Sequence, residues 1–139
     1  MSLKVGVIGL GPMGGNIAGN LLKKGFDVVG YDIKPECMDA LDELGLEKAS
    51  SVTDVSERAD LLACSLPNAS SLQAVIADVL EHPKPDQIML ECSTLDVVDK
   101  LAAHEKFSDG GKILLDAPIS GTPPMLVNMV ASIYVSGDE

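Results

Sequence analysis

The stretch GLGPMG at residues 9–14 decides the fold, because it directly follows the apolar run VGVI at residues 5–8. Eight of the 13 glycines of the chain lie within its first 30 residues. Glycine in regular structure costs conformational entropy, so such a cluster indicates a turn whose backbone must come close to a neighbour or a ligand. Pro12 suits the first turn of a helix, and the segment therefore predicts a strand, a glycine-rich turn and a helix in succession.

Short apolar runs alternate with helix-like segments along the rest of the chain. The runs lie at residues 5–8, 28–31, 61–66, 88–90, 113–115 and 133–135, and a weakly marked strand is expected at 46–49. This alternation is typical of a parallel sheet whose strands are joined by crossover helices. The 139 residues contain no linker or internal repeat, so we expect one α/β domain: a doubly wound, mostly parallel sheet with helices on both faces.

Two later segments carry apolar stripes at helical spacing and are expected to form crossover helices. The first stripe consists of Leu72, Val75, Ile76 and Val79, and the second of Val97, Val98, Leu101 and Ala102. In the opening helix, Met13, Ile17 and Leu21 recur at the same spacing, and Gly25 is the expected stop. The segments 35–44 and 53–59 are shorter and more polar, which predicts helices at the surface.

The composition argues against several classes of function. Ten basic residues against 21 acidic ones give a net charge of −11, and no cluster of Lys or Arg forms a face for nucleic acid. No apolar stretch is long enough to span a membrane. Cys37, Cys64 and Cys92 are widely spaced and form no CxxC pair, so we expect no metal site and the reduced thiols of a cytoplasmic protein.

The glycine-rich turn and the acid after the second strand together predict a dinucleotide site. Gly9 suits a tight turn, Gly11 a close approach to a pyrophosphate, and Gly14 close packing of the helix, whose amino end attracts phosphate. Asp32 follows Gly9 by 23 residues and can accept hydrogen bonds from both ribose hydroxyls. A 2′-phosphate there would meet its negative charge, which favours NAD over NADP. Two alternatives stay open: a turn that serves packing only, and an Asp32 that caps the next helix.

Four segments carry a resemblance to a known family. They are GLGPMGGNIAGNLLKKGFDVVGYD at 9–32, SLPN at 65–68, CST at 92–94 and DAPISG at 116–121. In this combination the chain resembles the β-hydroxyacid dehydrogenase family, which includes 3-hydroxyisobutyrate dehydrogenase and is related to 6-phosphogluconate dehydrogenase. The resemblance implies that residues 1–139 form the amino-terminal NAD-binding Rossmann domain, without the helical carboxyl-terminal domain that binds substrate and forms dimers in the family.

The resemblance also assigns roles to residues of this chain. The implied cofactor-binding residues are Gly9, Leu10, Gly11, Pro12, Met13, Gly14, Asp32, Leu66, Pro67 and Thr94. The implied substrate-binding residues are Ser120, Gly121 and Thr122, which would receive the carboxylate of a short 3-hydroxy acid. The implied reaction is reversible hydride transfer between the alcohol carbon of that acid and NAD.

The resemblance implies no catalytic residue within this chain. The family's proton-transferring lysine lies on a helix after this domain, and Lys100, Lys106 and Lys112 are expected on exposed faces or at a strand entry. Thr122-Pro123-Pro124 also departs from the glycine-rich loop that follows the DAPxSG motif in the family. We therefore expect little turnover by this chain alone. A non-catalytic NAD-binding regulatory or assembly module is the alternative, and the oligomeric state stays open, a homo-oligomer included.

Overall fold

A computed structural model describes residues 3–137 of the chain, and its elements alternate between strand and helix. The strands are β1 (Lys4–Ile8), β2 (Asp27–Tyr31), β3 (Glu47–Lys48), β4 (Leu61–Cys64), β5 (Ile88–Glu91), β6 (Ile113–Asp116), β7 (Ile119–Ser120) and β8 (Ser132–Ile133). The helices are α1 (Pro12–Lys23), α2 (Pro35–Asp39), α3 (Val52–Arg58), α4 (Ala69–Leu80), α5 (Val97–Asp109) and α6 (Pro123–Val127), and a 3-10 turn covers Asp42–Leu44.

The first six strands form one parallel sheet in the order β3-β2-β1-β4-β5-β6. The chain builds outward from β1 to β3, then crosses over and builds outward in the other direction from β4 to β6. This confirms the doubly wound Rossmann fold. The strand order reverses between β1 and β4, and ligands of open α/β sheets bind at the carboxyl end of such a reversal.

Each face of the sheet is covered by helices and has its own apolar core. On one face, α3, α4 and α5 enclose a core in which Val55, Leu62, Ile76, Met89 and Phe107 are fully or almost fully buried. On the other face, α1 and the region of α2 cover a second core, with members Val7, Ala18, Val28, Leu41 and Leu46. The sheet is therefore shielded from water on both sides, as a parallel sheet requires.

Local signals set the ends of α1, as expected, and the start of α4. Pro12 opens α1, and the helix is followed by Gly25, whose φ of +90° is open to glycine without strain and whose amide donates to the Leu22 carbonyl oxygen at 3.0 Å. Asn68 caps α4, because its side-chain oxygen accepts the Ser71 amide at 2.9 Å. All four residues of the first predicted stripe on α4 are buried, which confirms that face.

The second predicted stripe is wrong as a buried face. The helix α5 exists, but Val97, Val98, Leu101 and Ala102 are exposed, with Val98 at 76%. The inward positions are instead Lys100, Ala103 and Phe107, which recur at three and four residues. The spacing of the apolar residues predicted the helix correctly, but the face that they form is the solvent-exposed one.

The last apolar run does not join the main sheet. Residues 133–135 were expected to be a further strand of the sheet, but β8 pairs antiparallel with β7, Ile119 opposite Ile133. Beyond β8 the chain continues back along β6, where Asp116 and Ser136 exchange backbone hydrogen bonds of 2.8 Å. Two smaller differences are that β4 ends at Cys64, not at residue 66, and that the predicted surface helix α3 buries Val52, Val55 and Ser56.

Candidate functional site

The carboxyl ends of the central strands bring the predicted site residues to one edge of the sheet. The Gly9 amide donates to the Tyr31 carbonyl oxygen at 3.0 Å, and the Ser65 amide donates to the Ile8 carbonyl oxygen at 3.1 Å. The exits of β2 and β4 therefore flank the exit of β1, where the glycine-rich turn begins. This arrangement forms the crevice at the strand reversal.

The three glycines of the turn differ in what a side chain would meet. Gly9 has φ +87°, a conformation that other residues adopt only with strain. A Cβ atom on Gly14 would lie 1.8 Å from the Gly9 carbonyl oxygen, so α1 can approach the turn only without a side chain there. A Cβ atom on Gly11 would meet no atom within 4 Å among the described residues. Gly9 and Gly14 thus shape the turn, whereas Gly11 leaves an open backbone surface.

The amino end of α1 is free to bind an anion. Within residues 3–137, no side chain caps this end, where Gly11 is the N-cap and Pro12 the first helical residue. The amides of the first turn therefore lack the usual side-chain acceptor, and the positive end of the helix dipole lies at the same place. A phosphate group can occupy this position, which is the fit that a dinucleotide requires.

Asp32 is directed at the glycine-rich turn. Its Oδ2 atom accepts the Leu10 amide at 2.8 Å, and its Oδ1 atom accepts the Lys34 amide at 2.8 Å. Lys34, not Asp32, is the N-cap residue of α2. A carboxylate has about four acceptor positions, so these two bonds leave room for ribose hydroxyls. The same two bonds orient the carboxylate before any ligand arrives.

The loop after β4 packs against the turn and is joined to the loop after β5. A Cβ atom on Gly9 would lie 2.3 Å from the Ser65 carbonyl oxygen and 3.3 Å from the Leu66 side chain. The Leu66 amide donates to the Ser93 hydroxyl at 2.8 Å. Pro67 and Thr94 are exposed beside these contacts. The loop after β4 is therefore a neighbour of the glycine-rich turn, and the loop after β5 is joined to it through Ser93.

The predicted substrate residues follow β6, further along the same edge. Ser120 belongs to β7, and Gly121 and Thr122 are exposed. No hydrogen bond among the described residues joins these three to the turn or to Asp32. The chain after them returns to α1 through α6, where the Asn20 side-chain amide donates to the Leu126 carbonyl oxygen at 2.7 Å.

Comparison with known proteins identifies the family. The sequence profile of the NAD binding domain of 6-phosphogluconate dehydrogenase matches residues 4–139. The chain belongs to this family. Within it, the chain is 33% identical over 120 residues to the mitochondrial 3-hydroxyisobutyrate dehydrogenase of Rattus norvegicus, covering 84% of the chain and 36% of the relative. It is 31% identical over 138 residues to the NAD-dependent L-serine dehydrogenase of Pseudomonas aeruginosa, covering 97% of the chain and 46% of the relative.

A solved structure agrees with the family assignment. The 3-hydroxyisobutyrate dehydrogenase of Mycobacterium tuberculosis, determined with L-serine, superposes with a TM-score of 0.94 at 28% identity. The match covers 100% of this chain and 48% of the Mycobacterium protein. The chain therefore spans about half the length, or less, of each of these three relatives. The family resemblance expected from the four motifs is confirmed, and the chain is an NAD-binding domain of this family.

The thiols of this NAD-binding domain are unpaired, and two of the three are buried. Cys37, Cys64 and Cys92 form no disulfide. Burial, reinforced by the Glu91 carboxylate, raises the pKa of Cys92 to about 11 and the pKa of Cys64 well above its ordinary value. Cys92 is therefore a buried thiol, as the sequence suggested, and its raised pKa disfavours the thiolate that a nucleophile requires. Residues 3–137 contain no cluster of three metal-ligating side chains and no helix long and apolar enough to cross a membrane.

The expected exposure of Lys100 is wrong. Its side chain is only 15% exposed and lies between two acids, with Nζ 2.6 Å from Asp116 Oδ1 and 3.1 Å from Glu91 Oε2. Burial alone would lower the pKa of Lys100, but the hydrogen bond to Asp116 and the nearby Glu91 raise it above its ordinary value. Lys112 is at a strand entry as expected but is buried, where it donates to Gln87.

Sequence reasoning missed two features of the crevice. Ile33, directly after Asp32, is 83% exposed and offers an apolar surface at the exit of β2. The sequence could have indicated this exposure, because Ile33 follows the polar residue that ends the predicted strand and therefore lies outside the buried sheet. Ser93 is buried and bonds Leu66, and only the short CST motif indicated its importance.

Proposed function

We propose that this domain holds NAD across the carboxyl edge of its sheet and serves an oxidoreductase that transfers hydride between NAD and a short 3-hydroxy acid. The observation that carries the proposal is the Asp32 carboxylate, which is bonded to Leu10 of the glycine-rich turn next to the open side of Gly11. An acid and a free helix end this close together match the ribose and pyrophosphate of one dinucleotide.

The residues of the crevice have separate roles in this proposal. The uncapped amides at the amino end of α1 bind the pyrophosphate, while Gly9 and Gly14 hold the turn in shape. Asp32 accepts the ribose hydroxyls, and the apolar surfaces of Leu66, Pro67 and Ile33 border the adenosine side. Thr94, at the exit of β5, faces the nicotinamide half. NAD, when bound, supplies the hydride acceptor of the reaction.

The substrate residues are proposed on chemical grounds. Ser120 offers a hydroxyl group, and Gly121 and Thr122 are exposed with their backbone close to it. Hydroxyl and amide donors suit the carboxylate of a short hydroxy acid. No residue of this chain is proposed to transfer the proton. General acid–base catalysis usually contributes about 10² to 10⁴ in rate, so its absence would make the domain alone a weak catalyst.

We also propose that a second, helical domain completes the enzyme. The rat and Pseudomonas relatives are two to three times as long as the matched segment, which covers 36% and 46% of them. The segment around α6 exposes Met125, Val127, Met129 and Val130, which is the apolar surface that a partner domain would cover. The cytoplasm is the proposed compartment, supported by the unpaired cysteines, although the rat relative is named mitochondrial.

Titration calorimetry with NAD and NADP tests the cofactor site. We expect the chain to bind NAD in preference to NADP, and Asp32→Asn to weaken NAD binding about tenfold or more, since hydrogen bonds to a charged acceptor are lost. Asp60→Asn is the matched control. Asp60 also accepts one backbone amide, from Lys4 at 2.9 Å, but before β4 at the amino edge of the sheet. Preference for NADP, or equal effects of the two variants, would overturn the proposal.

A pair of glycine variants separates binding from folding. Gly11→Ala adds a methyl group that meets no described atom within 4 Å, so the protein should fold, with a loss of at most about 1 kcal/mol from the poorer N-cap. It should nevertheless weaken NAD binding, because the methyl group enters the proposed pyrophosphate position. Gly14→Ala should lose both folding stability and binding. Undiminished NAD affinity in Gly11→Ala would show that the nucleotide lies elsewhere.

Turnover distinguishes the dehydrogenase from the alternative assembly module. A longer protein that carries this domain should reduce NAD with a short 3-hydroxy acid, as followed by absorbance of the reduced cofactor. Binding of NAD with no turnover of any short hydroxy acid would favour the non-catalytic module.

A further inference from the structure

Two acids lie side by side at the ends of β5 and β6, below the crevice. Glu91 and Asp116 are register partners in the parallel sheet, and each is the last residue of its strand. The Glu91 side chain is only 1% exposed, whereas the Asp116 side chain is 43% exposed. Two neighbouring carboxylates in a partly dry setting repel each other, and a buried charge without a partner is costly.

Lys100 of α5 supplies the cation between these acids. Its Nζ atom is 2.6 Å from Asp116 Oδ1 and 3.1 Å from Glu91 Oε2. The contact with Glu91 is an ion pair without hydrogen-bond geometry, because Oε2 has no hydrogen-bond partner among the described residues. Lys100 is thus the group that compensates the buried Glu91 charge, and it holds α5 against the sheet edge at the same time.

The other oxygen of Glu91 leads to the crevice. Glu91 Oε1 accepts the Ser93 amide at 2.8 Å. The Ser93 hydroxyl accepts the Leu66 amide at 2.8 Å. The loop that contains Leu66 in turn packs on the glycine-rich turn, through the Ser65 carbonyl oxygen beside Gly9. An unbroken series of polar contacts therefore joins Lys100 on the outer helix to the two loops that border the crevice.

We propose that Lys100 is a positioning residue that, by neutralising Glu91, fixes Ser93 and through it the loops that carry Leu66 and Thr94. Lys100 acts through Glu91 and is not itself a binding or catalytic residue. The proposed effect of Lys100 on the ordering of the loops is inferred only from the contacts described above and does not require that NAD binds. Its effect on NAD affinity rests on the proposed function, because it requires that the nucleotide lies against these loops.

Hydrogen exchange of the nucleotide-free chain tests the ordering of the loops. In Lys100→Met, the amides of Ser93 and Leu66 should exchange at least about tenfold faster than in the parent chain, relative to the amides of Val75 and Ile76, which lie in α4 and report global stability. Lys100→Arg retains the cation and should restore slow exchange. Lys106→Met, an exposed lysine on the same helix, is the control and should change neither amide.

A double variant tests whether Lys100 acts through the charge of Glu91. Lys100→Met combined with Glu91→Gln leaves no buried carboxylate to neutralise, and the amide oxygen of glutamine can still accept the Ser93 amide. It should return the exchange of Ser93 to within about threefold of the parent. The double variant also covers the case in which Lys100→Met alone fails to fold. Unchanged exchange in Lys100→Met, or no recovery in the double variant, would overturn the proposal.

NAD titration of the same variants connects the network to binding. Lys100→Met should weaken NAD binding about tenfold, with recovery in Lys100→Arg and no change in Lys106→Met. If the parent chain fails to bind NAD, the proposed function fails, while the exchange results still decide the role of Lys100. If the exchange rates respond but NAD affinity does not, the loops are positioned by Lys100 and the nucleotide does not depend on them, which overturns the binding part.

Discussion

The neighbouring helices α4 and α5 lie on the same face of the sheet and were predicted from equally clear apolar stripes, yet only α4 uses its stripe for packing. In α4 the four apolar residues of the stripe are buried. In α5 the corresponding stripe is exposed, and the inward face contains Lys100, Ala103 and Phe107. A stripe of apolar residues thus indicates a helix with an apolar face, but does not say which surface that face will meet.

The position of each helix relative to the sheet explains the difference. The helix α4 packs between α3 and α5 over the centre of the sheet, where every inward position needs an apolar side chain. The helix α5 packs on β6, the edge strand, and its inward face meets the acids Glu91 and Asp116. A lysine is the better residue at that contact. The apolar stripe of α5 is therefore exposed among the described residues.

The largest effect expected within this comparison is that of Phe107→Ala. Phe107 is fully buried under α5, so its removal should lower the free energy of unfolding by about 3–5 kcal/mol, measured by urea denaturation. Leu101→Ala on the same helix is the control and should change it by no more than about 0.5 kcal/mol, since Leu101 is 63% exposed. Equal losses in the two variants would contradict the assigned inner face.

A similar loss is expected at the buried stripe of α4. Ile76→Ala should lower the free energy of unfolding by about 2–5 kcal/mol, because the side chain fills a packed position between the helix and the sheet. Gln73→Ala, exposed one turn earlier, should leave the urea midpoint nearly unchanged. A tolerant Ile76 would mean that the centre of the sheet is less tightly packed than its edge.

The ion pair of α5 should make stability depend on alkaline pH, which α4 cannot do. The pKa of Lys100 is raised in the folded state, so its contribution is fully present below the unfolded lysine pKa of about 10.4 and is lost as the pH rises through the folded pKa. Lys100→Met should therefore cost about 1.5–3 kcal/mol at pH 8. The difference between parent and variant should shrink above pH 10 in urea denaturation; a constant difference would show that Lys100 stabilises by packing alone.

The smallest effect is expected from the exposed stripe of α5. Val98→Gln combined with Leu101→Gln should change the free energy of unfolding by less than about 1 kcal/mol, because both side chains are mostly exposed. Light scattering should show less association at high concentration, since an exposed apolar patch is removed. A strong loss of stability would mean that this stripe does pack inward in solution.

The part of the candidate site that lies next to the first strand could be predicted from sequence. The turn of residues 9–14 and Asp32 are close in the chain and separated by one strand–helix–strand unit, so their meeting follows from a single local motif. The contribution of Ser93, Glu91 and Lys100 could not be predicted in this way. They act through contacts between β4, β5 and α5, and each of those contacts exists only after the strands have paired.

From the sequence alone, the alternation of strands and helices, the ends of α1, and the glycine-rich turn with its acid were determined, because each depends on residues within a single strand–helix–strand unit at most. Only the tertiary structure decided that Lys100 faces inward and that residues 133–135 leave the main sheet. Both outcomes depend on which groups the paired strands present at the edge, namely two carboxylates that need a cation and a backbone at β6 that Ser136 can bond.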